Sequence, residues 1–204
     1  MMDLLDWRRR THELYQIIRS IGPDKQEAFQ IFQQSRNELF ATHPQSPLDP
    51  EQKADFKGLS YFPYNPIFHT LAPLHYLDNP VHYDIDLGAD GLTTLIAFAT
   101  IPINIVLGNG ELTLYWIKGY GGGLFLPFKD QTNGQTTYGG GRYLFDTIKG
   151  ADLGSNTSHI LIDFNYAYNP SCHYNPRWIC PLSPRENTLN FMIQSGEKKY
   201  SLIQ

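Results

Sequence analysis

From Leu59 onward the chain is broken at short intervals by glycine, proline and asparagine, and the stretches between are rich in aromatic and β-branched side chains. A helix needs an unbroken run carrying a 3.6-residue apolar stripe, and breaks about every eight to twelve residues deny it one. Short strands joined by turns suit this texture, so the expected fold is mainly β: an antiparallel sandwich or partly closed barrel. The pattern predicts strands at Phe68–Tyr76, His82–Leu87, Thr93–Thr100, Ile101–Leu107, Glu111–Ile117, Leu124–Phe128, Thr137–Phe145, Ile160–Phe164 and Leu189–Gln194, with Lys198–Ile203 as an edge. That makes about eight to ten strands, enough to close or to stack. The clearest hairpin turn is Gly108, Asn109 and Gly110, residues that tolerate positive φ.

The first 57 residues read differently. Leu4, Trp7, Leu14, Ile17 and Ile18 have helical spacing, and Ile21, Gly22 and Pro23 stop that helix. Asp24 caps a second one with Glu27 at the capping-box position, and Ala28, Phe29, Ile31, Phe32, Leu39 and Phe40 form its inward stripe to near Thr42. Two units follow: a helical segment, 1–57, packing on a β domain, 58–204, with Pro44 to Pro50 as a hinge between them.

With 41% hydrophobic and 18% charged residues the chain can bury enough apolar surface to fold. A net charge of −4 without a basic stripe points away from nucleic acid and from an anionic membrane surface. Arg8, Arg9 and Arg10 read as the solvated face of a helix. The N-terminus has acids ahead of its arginines and no apolar core, so a cytoplasmic location is expected. The uncharged run from Gly91 to Gly110 holds Pro102, Asn104 and three threonines, which fits two strands and a turn better than a membrane span.

Two segments depart from strand-and-turn grammar. Between Gly119 and Leu144 two glycine triplets flank a hairpin turning at Gln131 to Gly134, as corners of a curved sheet or as backbone approaching a ligand. Neither triplet is followed by a phosphate-loop ending. Between Asp163 and Asn187 four prolines, at 170, 176, 181 and 184, exclude a helix or central strand and leave a long ordered loop. Cys172 and Cys180 lie in this loop with His173, too few soft ligands for a zinc site, and they read as reduced thiols.

These segments resemble the family catalogued as domain of unknown function 1684. The resemblance rests on His43–Leu48, Phe56–Tyr64, the run from Leu114 through Tyr120 to Asp130, Thr137–Leu144, Lys149–Gly154, the long loop, and Ser195–Glu197. It covers nearly the whole chain from the second helix onward and leaves out Met1 to Gly22. Where the family pattern reads Asp-Ala-Thr-Ser-Gly, this chain has Asp130, Gln131, Thr132, Asn133 and Gly134, with the same turn chemistry. The resemblance implies a shared β fold and no activity.

Three functions stay open. In the first, a pocket at one end of the β domain binds a small polar or anionic ligand, with Arg142 as the anion anchor and Tyr138, Tyr143, Asn165 and Asn169 as orienting groups. In the second, a hydrolase or isomerase uses two of Asp130, Asp163 and Glu186 as acid and base, or Cys172 with His173 as nucleophile and base. In the third, the helices dock a partner through exposed Trp7 and Tyr15. No cofactor, metal or oligomeric state is specified by the sequence.

Overall fold

The computed structural model describes residues 1–21, 25–88 and 91–200. Helix α1 (Met2–Ser20) and helix α2 (Lys25–Thr42) sit where the apolar spacing puts them. Gly22, Pro23 and the cap Asp24 lie outside the described residues. From α1 only Leu14, Tyr15 and Ile18 are buried, while Ile17 faces out and the expected exposure of Tyr15 is corrected to 1%. The Tyr15 ring meets Phe32 of α2 edge-on at 6.1 Å, and Phe32 meets Tyr166 at 5.1 Å, so the helices share one core with the β residues. Such aromatic contacts each contribute about 0.5–1.5 kcal/mol beyond area burial. Gly150 fixes how close α1 comes: a side chain there would meet the backbone of His12 at 2.8 Å.

The β body is two antiparallel sheets. One pairs β1 (His69–Pro73) with β7 (His159–Asp163). The other is a five-stranded meander of β2 (His75–Asp86), β3 (Leu92–Ile105), β4 (Gly108–Ile117), β5 (Gly123–Phe128) and β6 (Arg142–Asp146). The arrangement is sandwich-like and does not close into a barrel. Seven strands stand among the described residues, fewer than the sequence texture suggests, and some are shorter. Thr93–Thr100 and Ile101–Leu107 merge into β3, because the ladder to β4 runs on through Ile105 while the pairing with β2 stops at Thr100 and leaves that edge open. Pro102 can occupy that stretch when its missing N–H faces the open edge. Thr137–Phe145 shrinks to β6, its first part being turn. Leu189–Gln194 lies over the face of β4 without a ladder, and Lys198 to Tyr200 form no strand.

That overlying segment explains a misread turn. The hairpin reverses at Val106 and Leu107, with Ile105 opposite Gly108. Neither Gly108 nor Gly110 has positive φ. A side chain on Gly108 would strike Phe191 at 2.6 Å, and one on Gly110 would strike Leu189 at 2.7 Å. Close approach, not turn geometry, requires glycine there. The Asn187 side chain fixes the start of the segment, accepting from Thr113 N at 2.8 Å and donating to Thr113 O and Pro127 O at 2.8 Å each.

The five-stranded sheet is buried on both faces where it meets the long loop. A bulge between Ala97 and Ala99 shifts β3, so Ala99, Ile101 and Ile103 join the main core while Leu95 and Ala97 join a smaller cluster with Tyr115, Phe125 and Tyr143. The stretch expected to be a hinge is instead tied down: Arg177 Nη2 donates to Ser46 O at 3.1 Å and Trp178 Nε1 to Pro47 O at 3.2 Å. A short helix α3 (Pro50–Ala54), closed by an Asp49/Gln52 capping box, continues the attachment through Gln52 Nε2 to Tyr174 O at 2.7 Å. No described helix is long and apolar enough to cross a membrane.

Candidate functional site

Two arginines flank the C-terminal segment, Arg142 fully buried and Arg36 with 12% of its side chain exposed, and they differ in kind. Arg142, at the start of β6, is 0% exposed. Its Nη2 donates to Asp130 Oδ2 and to Ile193 O, both at 2.9 Å, while Nη1 donates to the carbonyls of Ser195 and Glu197. Asp130 in turn accepts from Thr132 N at 2.8 Å and Ile193 N at 3.1 Å. Burial lowers the Arg142 pKa and Asp130 works against that. Both amino groups of the fork are thus committed inside the protein, where they fasten residues 193–197 to the β5–β6 hairpin, and Nε alone is buried without a partner.

Arg36 lies on α2 and its guanidinium rests among the rings of Phe32, Phe40 and Tyr168, at 5.4, 5.1 and 5.0 Å. Its Nε donates to Tyr61 Oη at 3.1 Å and its Nη2 to Glu197 Oε2 at 2.9 Å. Burial opposes the charge, but Tyr61 and Glu197 outweigh it and hold the Arg36 pKa well above its usual range. Glu197, 1% exposed, also accepts from Tyr174 Oη and from Asn169 N. The hydrogen bonds of Arg36 leave Nη1 without a partner among the described residues, though not as a fully buried atom, and Arg36 borders a cavity between α1, α2, β6 and the long loop.

That cavity leaves about 60 Å³ open to the centre of a water molecule. One water needs roughly 10–15 Å³ on this measure, so the space suits a few waters or a ligand of a few non-hydrogen atoms. Among its walls are Tyr15, Tyr143, Tyr168, Asn169 and the Asp146–Lys149 ion pair at 3.3 Å. Two of its lining residues, Tyr15 and Asn169, each carry a buried polar atom without any partner, Oη and Oδ1. An unsatisfied buried polar atom costs about 1–3 kcal/mol, so two on one cavity need an explanation.

The residues expected to bind a ligand are therefore divided. Tyr143 and Asn169 border the cavity. Asn165 pins the loop, bonding Asn65, Asp163 and Ser195 through its amide at 2.7–2.9 Å. The Tyr138 ring lies tilted against His173 at 4.4 Å, away from the cavity walls. The candidate acids have separate partners: Asp130 holds Arg142, Glu186 accepts from Tyr115 Oη at 3.1 Å, and Asp163 accepts from Asn165 N at 3.0 Å. Asp163 borders a more open cleft with His69 and Lys25, and burial raises its pKa.

His173 does not stand as a base toward Cys172. Its Nε2 accepts from Tyr200 N at 2.7 Å, and burial lowers its pKa to about 4. Cys172 faces Cys180 instead, its amide donating to Cys180 Sγ at 3.4 Å. No group of three or more His, Cys, Asp or Glu residues is placed to hold a metal among the described residues.

The sequence reading passed over Arg36 and gave Tyr15 an exposed role, yet a signal for Arg36 existed. Phe32, Arg36 and Phe40 are spaced four apart, which puts a cation on the inward stripe of α2.

Comparison with known proteins places the β body in context. Residues 54–198 match the family described as Protein of unknown function (DUF1684), so His43–Leu48 lies outside the matched range. The chain is similar to an uncharacterized protein from gene locus rrnAC0354 of Haloarcula marismortui, whose solution NMR structure it matches with a TM-score of 0.59. The two are 30% identical over 86% of this chain and 94% of that one. No curated protein matches. A family match over most of the chain, with a relative of nearly the same extent and fold, shows that the protein belongs to the DUF1684 family.

Proposed function

We propose that the protein binds a small polar ligand in the cavity beside Arg36. The observation that carries this reading is the presence of two buried, unpartnered polar atoms, Tyr15 Oη and Asn169 Oδ1, on residues that line one cavity. Their chemistry describes the ligand. Arg36 Nη1 and Tyr15 Oη offer hydrogens to a carboxylate or carbonyl oxygen, and Asn169 Oδ1 accepts from a hydroxyl or amide N–H. Arg36 is balanced by Glu197 and Lys149 by Asp146, so the walls accept either a neutral amide or a singly charged acid. Two expected binding residues, Tyr143 and Asn169, keep a place in this reading, while Arg36 replaces Arg142 as the cation.

The test is a thermal-shift and calorimetric comparison of acetate, glycolate, acetamide and glycolamide on the wild type, Tyr15→Phe and Arg36→Lys. A ligand at a hundredfold excess over its dissociation constant adds about 2.7 kcal/mol of stability. A shift with a hydroxylated probe that is reduced in both variants supports the reading. Absence of binding by all four, or binding indifferent to both substitutions, contradicts it.

A further inference from the structure

The long loop also brings two sulphurs together away from the cavity. Cys172 N donates to Cys180 Sγ at 3.4 Å, and Cys172 Sγ stands 3.8 Å from Tyr138 Oη. Both cysteines are free thiols and each is partly open to solvent. The segment between them does not drift: Asn175 Nδ2 donates to Asp49 and to Gln52 at 3.1 Å each, and Arg177 and Trp178 bond the backbone of 46–48. Anchoring the intervening residues holds the two thiols in each other's reach at little further entropic cost.

We propose that Cys172 and Cys180 form a thiol–disulfide exchange site whose co-substrate is a low-molecular-weight disulfide of the glutathione type. The Cys180 thiolate attacks one sulphur of the small disulfide, forming a mixed disulfide and expelling one small thiolate. Cys172 then gives its proton to solvent and attacks Cys180 Sγ, forming the internal bond and expelling the second thiolate. Two protein thiols are oxidised, one small disulfide is reduced to two small thiols, and the reverse sequence restores the dithiol.

The environment assigns the order of attack. A hydrogen bond from the Cys172 thiol pulls the Cys180 pKa down, aided by the amides of Cys172 and Ser171 and by Lys149, against burial. The same contact pushes Cys172 up. Neither cysteine borders the Arg36 cavity, so the proposal stands or falls apart from the ligand reading.

The experiment equilibrates the protein with oxidised and reduced glutathione at graded ratios, quenches with iodoacetamide and reads intact mass. The wild type is expected to reach a form that has lost two hydrogens, takes up no alkyl group and is restored by dithiothreitol. Cys172→Ser is expected to stop at one bound glutathione, and Cys180→Ser to react roughly tenfold more slowly or less readily still. Two bound glutathiones on the wild type, or two free thiols at every ratio, overturn the exchange site. Equal rates for the two variants overturn the assigned order. The wild-type masses decide the first point even if a variant does not fold.

Discussion

Arg142 is fully buried, Arg36 is partly exposed, and both face a carboxylate, yet their surroundings give them different meanings. Arg142 spends both amino groups on Asp130 and on three carbonyls of the C-terminal segment. Arg36 spends Nε and Nη2 on Tyr61 and Glu197 and borders a cavity whose lining residues carry two more unpartnered polar atoms. Arg142 keeps only its Nε unpartnered, away from the cavity, whereas Arg36 has Nη1 to spare on a residue that lines the cavity. A cation thus says nothing about binding until its unpartnered hydrogens have been located.

The largest effect expected from this contrast is on stability. Arg142→Ala leaves Asp130 charged and buried and three carbonyls without their donor, and should cost about 3–5 kcal/mol in denaturant unfolding. Arg36→Ala should cost less, about 1–3 kcal/mol, because Glu197 keeps Tyr174 and Asn169 N as donors and the cavity admits water. Equal losses would erase the distinction between the two sites.

Next comes the segment that Arg142 holds. Gly108→Ala forces a methyl against Phe191 and should cost about 1–3 kcal/mol by overpacking, with no effect on binding at the Arg36 cavity. A neutral result in urea titration would mean that residues 187–193 do not press on β4 as described.

A smaller effect belongs to acid. His173 is neutral when folded, with a pKa near 4 against about 6.5 when unfolded. The unfolded chain therefore binds the extra proton between those values, and the histidine's contribution to stability falls as pH drops from about 6.5 to about 4. Allowing for its partial exposure, the wild type should lose about 1–2 kcal/mol more than His173→Gln across that window. Parallel pH profiles for the two proteins would remove His173 from the account. The smallest effect has the opposite sign: Tyr15→Phe deletes a buried hydroxyl that bonds nothing in the protein and should raise ligand-free stability by about 1 kcal/mol. A large loss would show that water or another group already relies on it.

How far these features could be read in the sequence depends on whether they are local. The two helices and the strands β4 and β5 follow from apolar spacing and turn residues within a few positions of one another. Gly108 and Gly110 were legible as glycines but not in purpose, because Phe191 and Leu189 approach from some eighty residues away. Arg142 stood out as a charge in a glycine-rich hairpin, and no pattern revealed that Ile193, Ser195 and Glu197 would turn their carbonyls toward it. Arg36 was hidden for the reverse reason. An inward stripe is traced through apolar residues, so a cation between Phe32 and Phe40 drops out of the tally unless its position is asked about.

The most direct test of the contrast is NMR of the arginine side chains while glycolate and glycolamide are titrated into the full-length protein. The account predicts saturable shifts of the Arg36 guanidinium signals with at least one probe, and unmoved Arg142 signals throughout. Movement of Arg142 with Arg36 silent, or no saturable change at either arginine, would contradict it.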